Sequence, residues 1–219
     1  LYDKYTKILE EIILPNQSDI EKEIAIHDYL VDNINYVDTG DSSYNAYSAL
    51  INGIAVCSGY TECFKTLLDM LGIENATISG EAGGQQHIWN VVNLDNHWYH
   101  VDVTWDDPVG SSSDYIDHSY FNISADDMAL DHTWDRSRYS AYEKCGAKYS
   151  YCRYKKLPLI SNVNQLNKLI YSTVKNKTAH IEFTTTYNAD LKEAISRTGQ
   201  QLSYSYKTVS YTHLTLPTN

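Results

Sequence analysis

Basic charge is scarce in this 219-residue chain. It has 17 lysines and arginines against 28 aspartates and glutamates, for a formal charge of −11. Binding a phosphate backbone needs a basic footprint, so nucleic acid is excluded as a partner. No apolar run approaches the roughly 18 residues that a membrane span requires. Cysteine is sparse too. Cys57, Cys63, Cys145 and Cys152 include no Cys-x-x-Cys pair of the kind that builds a structural zinc site. Cys57 and Cys63, six residues apart on one helix, are nearly two turns apart and too far for a disulfide, whereas Cys145 and Cys152 flank a short loop and can pair in an oxidising compartment. His-x-His and His-Glu-x-x-His patterns are missing. His97 and His100 fall on opposite strand faces, and His118 and His132 lie far downstream, so no metal and no cofactor is expected. The acidic pairs Asp106-Asp107 and Asp126-Asp127 lack the twelve-residue spacing of a calcium loop. Two methionines and three phenylalanines stand against twenty tyrosines, which we read as compositional habit rather than a functional signal.

What is present describes a globular protein. Hydrophobic content is 42% and charged content 21%, enough for one core of about 150 residues and a smaller unit. Tyr5, Leu9, Ile12 and Ile13 predict a first helix that Pro15 stops. Ser18 and Glu21 form a capping box opening a second helix with Ile20, Ile24, Leu30, Val31 and Ile34. On that helix His27 is expected to face the interior and bond a backbone carbonyl. A short helix over 45–51 ends at Gly53, and a longer one over 57–71 buries Tyr60, Phe64, Leu67, Leu68 and Leu71 before Gly72. The pattern then changes to strands: 73–79, a flexible turn through Gly80, Gly83 and Gly84, 87–94, and 97–104. The last two are joined by the two-residue loop Asp95-Asn96. In a regular hairpin, Leu94 faces His97 and paired numbers sum to 191. Asp102 then sits across from Trp89 and diagonal to His87, on one face. A one-residue slip would send it to the other face.

Three local signatures carry chemistry. Cys57 lies in Gly53-Ile-Ala-Val-Cys57-Ser-Gly59-Tyr60, His87 opens His87-Ile-Trp89-Asn90-Val, and Asp102 falls in Trp98-Tyr-His-Val-Asp102-Val-Thr-Trp105-Asp-Asp-Pro108. A thiol at a helix N-terminus, followed by a histidine and an aspartate on strands, is the layout of cysteine acyl transfer. The thiolate attacks a carbonyl, the imidazole moves the proton, and the carboxylate fixes the imidazole tautomer. The helix N-terminus and a nearby imidazolium both favour the thiolate. Gly59 is expected to keep the first turn uncrowded for substrate, Tyr44 or Asn45 to supply a second oxyanion donor, and Trp89 to wall the acyl tunnel or shield the His87–Asp102 bond. Trp98, Trp105 and Trp134 are expected in the core.

These motifs, spaced 30 residues (57→87) and 15 residues (87→102) apart, resemble the bacterial transglutaminase-like superfamily over roughly residues 20–135. The resemblance implies an α+β fold with papain-like catalytic geometry, N-terminal helices packed on an antiparallel sheet. Cys57 would be the nucleophile, His87 the general base and Asp102 the orienting carboxylate. It implies action on protein or peptide amides, cell-wall-associated substrates included, with peptidase-like hydrolysis slightly favoured. Protein-glutamine cross-linking and a catalytically vestigial surface module stand as alternatives. An extracellular or cell-surface location is expected. The catalytic domain is read as 1–155 and a small α/β unit as 160–208, after a linker marked by Pro158. Residues 209–219 resemble a translated sequencing adapter and are expected to pack poorly; with Leu1 in place of Met, both ends read as cut.

Overall fold

The computed structural model describes residues 1–40, 43–107, 116–176, 180–185, 203–206 and 212–215. Contacts divide the chain between Ser150 and Tyr151. In the first unit, helix α1 (Tyr2–Ile12) precedes α2 (Asp19–Asn33), where the Ser18–Glu21 capping box forms in both directions. Strand β1 (Asn35–Tyr36) pairs in parallel with β2 (Ile54–Ala55). Between them, the expected short helix closes as a π-helical turn, Ser48–Asn52, and Gly53 ends it in the left-handed region at φ 68°. Helix α3 (Cys57–Met70) buries Tyr60, Cys63, Phe64, Leu67 and Leu68 and packs on the sheet.

That sheet is antiparallel, in the order β5-β4-β3-β6, from β3 (Asn75–Ala82), β4 (Gln85–Leu94), β5 (His97–Val101) and β6 (His132–Thr133). Helix α4 (Ala125–Met128), capped by the Ser124 side chain as its sequence predicts, precedes β6. The predicted hairpin register holds: Leu94 pairs with His97 and Asn90 with Val101. The tight turn before β4 is Gly83-Gly84 alone. Gly80, expected in that turn, lies inside β3 directly opposite His87. A Cβ there would meet the Thr133 carbonyl oxygen at 2.1 Å, so glycine is what lets the 132–134 segment lie on this face. Strand β5 stops at Val101 rather than 104. The Asp102 side chain accepts the Thr104 and Trp105 N–H groups at 3.1 and 3.2 Å and turns the chain.

A polar cluster ties α2 to this turn. His27, fully buried, bonds no carbonyl. Its Nδ1 faces Asp28 at 3.0 Å and its Nε2 faces Asp106 at 3.1 Å, while His118 also reaches Asp28 at 2.8 Å. Beside it, the fully buried Glu23 accepts from Asn122 Nδ2 at 3.0 Å, while Glu23 Oε1 and Asn122 Oδ1 find no donor. Burial raises the Glu23 carboxyl to about 8, consistent with a neutral acid. Its folded value lies above its unfolded one, so the burial is tolerated below about pH 4.5 and becomes a rising cost from there to about 8. Glu23→Gln, whose amide donates where the acid would, is expected to leave stability unchanged at pH 5. At pH 8 it should gain about 2 kcal/mol in urea unfolding.

The second unit contains α5 (Tyr151–Tyr154), β7 (Leu159–Ile160), α6 (Val163–Asn176), β8 (His180–Thr185), β9 (Ser203–Tyr206) and β10 (Thr212–Thr215), with strand order β7-β8-β10-β9. Its core takes Ile160, Leu166, Ile170 and Phe183. Residues around Pro158, read as a linker, belong to the sheet: Ile160 pairs with Thr185, and the Pro158 carbonyl accepts from Thr184 N–H at 2.9 Å. In the tail only residues 212–215 are described. Thr212–Thr215 pairs with β8 on one side and β9 on the other. The helix expected over 191–195 lies outside the described residues. Cys145 is a free thiol, so it forms no bond with Cys152; its Sγ accepts the Ala125 N–H at 3.2 Å. Among the described residues no helix is long and apolar enough to cross a membrane.

Candidate active site

The local fold delivers three side chains to one place. Val56 is extended and Cys57 begins α3, so the cysteine sits where the helix leaves backbone N–H groups without intrahelical acceptors. Strand β4 starts just after the Gly83-Gly84 turn and presents His87 near its beginning. Two buried bonds hold helix and strand in step. Thr61 Oγ1 donates to the Ile88 carbonyl at 3.0 Å, and Asn90 Nδ2 donates to the Thr61 carbonyl at 3.2 Å. Asn90, quoted above only as motif, is thus what aligns the thiol with the imidazole.

His87 Nε2 bonds Asp102 Oδ2 at 2.6 Å, and Cys57 lines the same cavity as His87. The structure thus brings His87 and Asp102 into contact and sets Cys57 and His87 on one cavity, with Asp102 one residue past the strand. Asp102 is 1% exposed. Burial would raise its carboxyl, but bonds from His132 and His87 outweigh that and hold it near 2. For His87, burial opposes the imidazolium, and the Asp102 and Cys57 bonds reverse this, taking it up to about 10.

Cys57 and His87 open on a cavity of about 340 Å³, lined also by Tyr36, Gln85, Gln86, Thr104 and Trp105 together with Ala82 and Gly83. The other expected site residues do not reach it. Tyr44 and Asn45 are exposed. The Tyr44 carbonyl accepts the Ser58 hydroxyl, and Asn45 Oδ1 accepts the Ser48 N–H, so both serve the turn before α3 rather than an oxyanion. Gly59 is buried, and a Cβ there would meet Ala55 Cβ at 2.7 Å and the Asn45 carbonyl at 3.2 Å. Its small size serves helix packing, not substrate approach. Trp89 is fully buried and stacks on His87 with ring centroids 6.0 Å apart, its Nε1–H donating to His100 Nδ1 at 3.0 Å. Burial leaves it the shielding role and not the tunnel wall. Trp105, expected in the core, is half-buried and lines the cavity.

One contact had no sequence signal. His132 Nε2 also bonds Asp102 Oδ2, at 3.0 Å. It arrives on a two-residue strand whose brevity leaves no periodicity to read. The donor atoms of His87, Asp102 and His132 lie within 4.8 Å of one another, as do those of His27, Asp28 and His118, and in both cases imidazole–carboxylate hydrogen bonds account for the spacing.

Residues 6–103, which include all three motif residues, match the family described as the transglutaminase-like superfamily. Among solved structures, one similar chain is from Cytophaga hutchinsonii and provisionally assigned as a cysteine protease, at 18% identity and TM-score 0.41 over 47% of this chain. Another is a TGase at 18% identity and TM-score 0.44 over 59%. A third is menin, at 17% and 0.38 over 51%. This chain spans 37%, 35% and 26% of those three chains, respectively. No curated protein matches. Within the first unit, whose architecture is α+β, residues 6–103 are thus similar to the transglutaminase-like superfamily.

Proposed function

We propose that this domain carries out cysteine-dependent acyl transfer on protein or peptide amides, with hydrolysis favoured over cross-linking. The observation that carries the reading is the His87–Asp102 bond of 2.6 Å, with Cys57 and His87 on one cavity. The Cys57 thiolate adds to the amide carbonyl carbon; N–H groups at the start of α3 face the developing oxyanion. His87 gives its proton to the amine as the C–N bond breaks, leaving a thioester. Water then attacks, His87 takes its proton, and the acid departs as the thiol re-forms. Asp102 keeps the Nε2–H tautomer throughout.

Cross-linking needs a second substrate, a lysine amine, at the same mouth. The described lining is neutral apart from the catalytic groups, with Gln85, Gln86, Thr104, Tyr36 and Trp105 offering no carboxylate to recruit an ammonium. That favours water as acceptor. Incubation with casein and a fluorescent amine, followed for both peptide release and amine incorporation, is expected to show release without incorporation. Incorporation at a comparable rate would reverse the preference, and neither product, with an unreactive Cys57, would leave the vestigial-module reading.

A further inference from the structure

We propose that His132 is a positioning residue of this site, a second imidazole that clamps the Asp102 carboxylate so that Oδ2 is held for His87. The proposal rests on the Cys57–His87–Asp102 reading above. Asp102 accepts four hydrogen bonds, divided by oxygen. Oδ1 takes the backbone N–H groups of Thr104 and Trp105, and Oδ2 takes Nε2 of His87 and Nε2 of His132. Without His132, the oxygen that serves His87 would be fixed by His87 alone. A carboxylate torsion is broad, so one oxygen pinned by the backbone leaves the other free to swing.

His132 is itself held on every side. Its Nδ1 meets Asp131 Oδ1 at 2.7 Å, and Asp131 Oδ2 accepts the Tyr120 hydroxyl at 2.7 Å. The rings of Trp89, Trp105 and Tyr120 enclose it, with centroids 5.1, 4.5 and 5.5 Å away, and it is 1% exposed. The backbone delivers it by the pairing of His132 with Ala82, on the face that Gly80 leaves open opposite His87. A ring needed only as filling would leave its nitrogens unpaired or facing water. Here both face carboxylates, one of them the carboxylate that orients His87.

The test uses the conservative amides, because each keeps one of the two contacts. Glutamine places its amide nitrogen where His132 Nε2 stands and can donate to Asp102. Asparagine reaches only the Nδ1 position, towards Asp131. Alkylation of Cys57 by iodoacetamide at pH 6 is followed by peptide mass, with Cys145 as internal reference and a thermal melt of each variant. His132→Ala and His132→Asn are expected to slow Cys57 alkylation about tenfold, as the loss of one positioning hydrogen bond does. His132→Gln is expected to restore most of the wild-type rate. An unchanged rate in His132→Asn, or a His132→Gln no faster than His132→Asn, would overturn the clamp and leave His132 a packing residue. If wild-type Cys57 reacts no faster than Cys145, the failure lies instead with the triad reading, and the clamp falls with it.

Discussion

Cys57→Ala is expected to abolish turnover on any amide substrate. The other thiol of α3, Cys63, cannot substitute: it is fully enclosed, and burial pushes it up to about 12. His87→Ala should be nearly as severe, because thiolate formation and leaving-group protonation both pass through that ring. Asp102→Ala should retain more activity, since the carboxylate orients and stabilises without reacting; in triads that role is worth up to about 10⁴-fold. Cys63→Ala is expected to act through packing alone, at about 1 kcal/mol. Initial rates of peptide release, paired with the melting temperature of each variant, check the ranking. An active Cys57→Ala alongside a dead Cys63→Ala would reassign the nucleophile.

Asp106→Ala is expected to be the most destabilising single change outside the hydrophobic core. Asp106 is fully buried, with Oδ2 facing His27 Nε2 at 3.1 Å and Oδ1 accepting the Tyr120 N–H at 2.8 Å. Burial pushes its carboxyl up and the His27 bond opposes this. At His27, burial opposes the charge, and the Asp106 and Asp28 bonds prevail, raising it. Removing one partner of such a buried pair costs about 3–5 kcal/mol, a large part of the roughly 5–15 kcal/mol of a whole domain. Asp106→Asn should cost far less. Its oxygen still accepts from Tyr120, and His27 can turn its proton to Nδ1 and Asp28, leaving Nε2 to accept from the new amide. Urea midpoints at unchanged m-value measure both, and equal losses would show that shape rather than pairing matters here.

The sequence made the hairpin legible because a period of two and a two-residue loop leave one register that keeps the apolar residues inside. Cys57 was legible from the glycine-punctuated start of α3. The end of β5 was not, since the Asp102 side chain turns the chain by capping N–H groups two and three residues on, and an aspartate in a strand pattern does not announce that choice. Gly59 and Gly80 were noticed but assigned the wrong neighbours. What a missing Cβ makes room for depends on Ala55 and Thr133, contacts that only the folded chain brings together. His132 was invisible for the same reason.

The two-residue loop Asp95-Asn96 has a bearing on how this protein can be altered. Both residues hold positive φ, at 53° and 60°, and the loop lies at the far end of the hairpin from His87. It looks like a permissive place for a tag or a linker, being remote from the cavity. Yet the loop sets the parity of everything after it. An insertion of even length can extend the loop with the 191 sum of the ladder intact. An insertion that makes the ladder slip by one residue presents Asp102 to the wrong side of the sheet. Loop variants at this point should therefore keep activity where the ladder keeps its register and lose it where the ladder slips, a sorting that distance from the active site would never suggest.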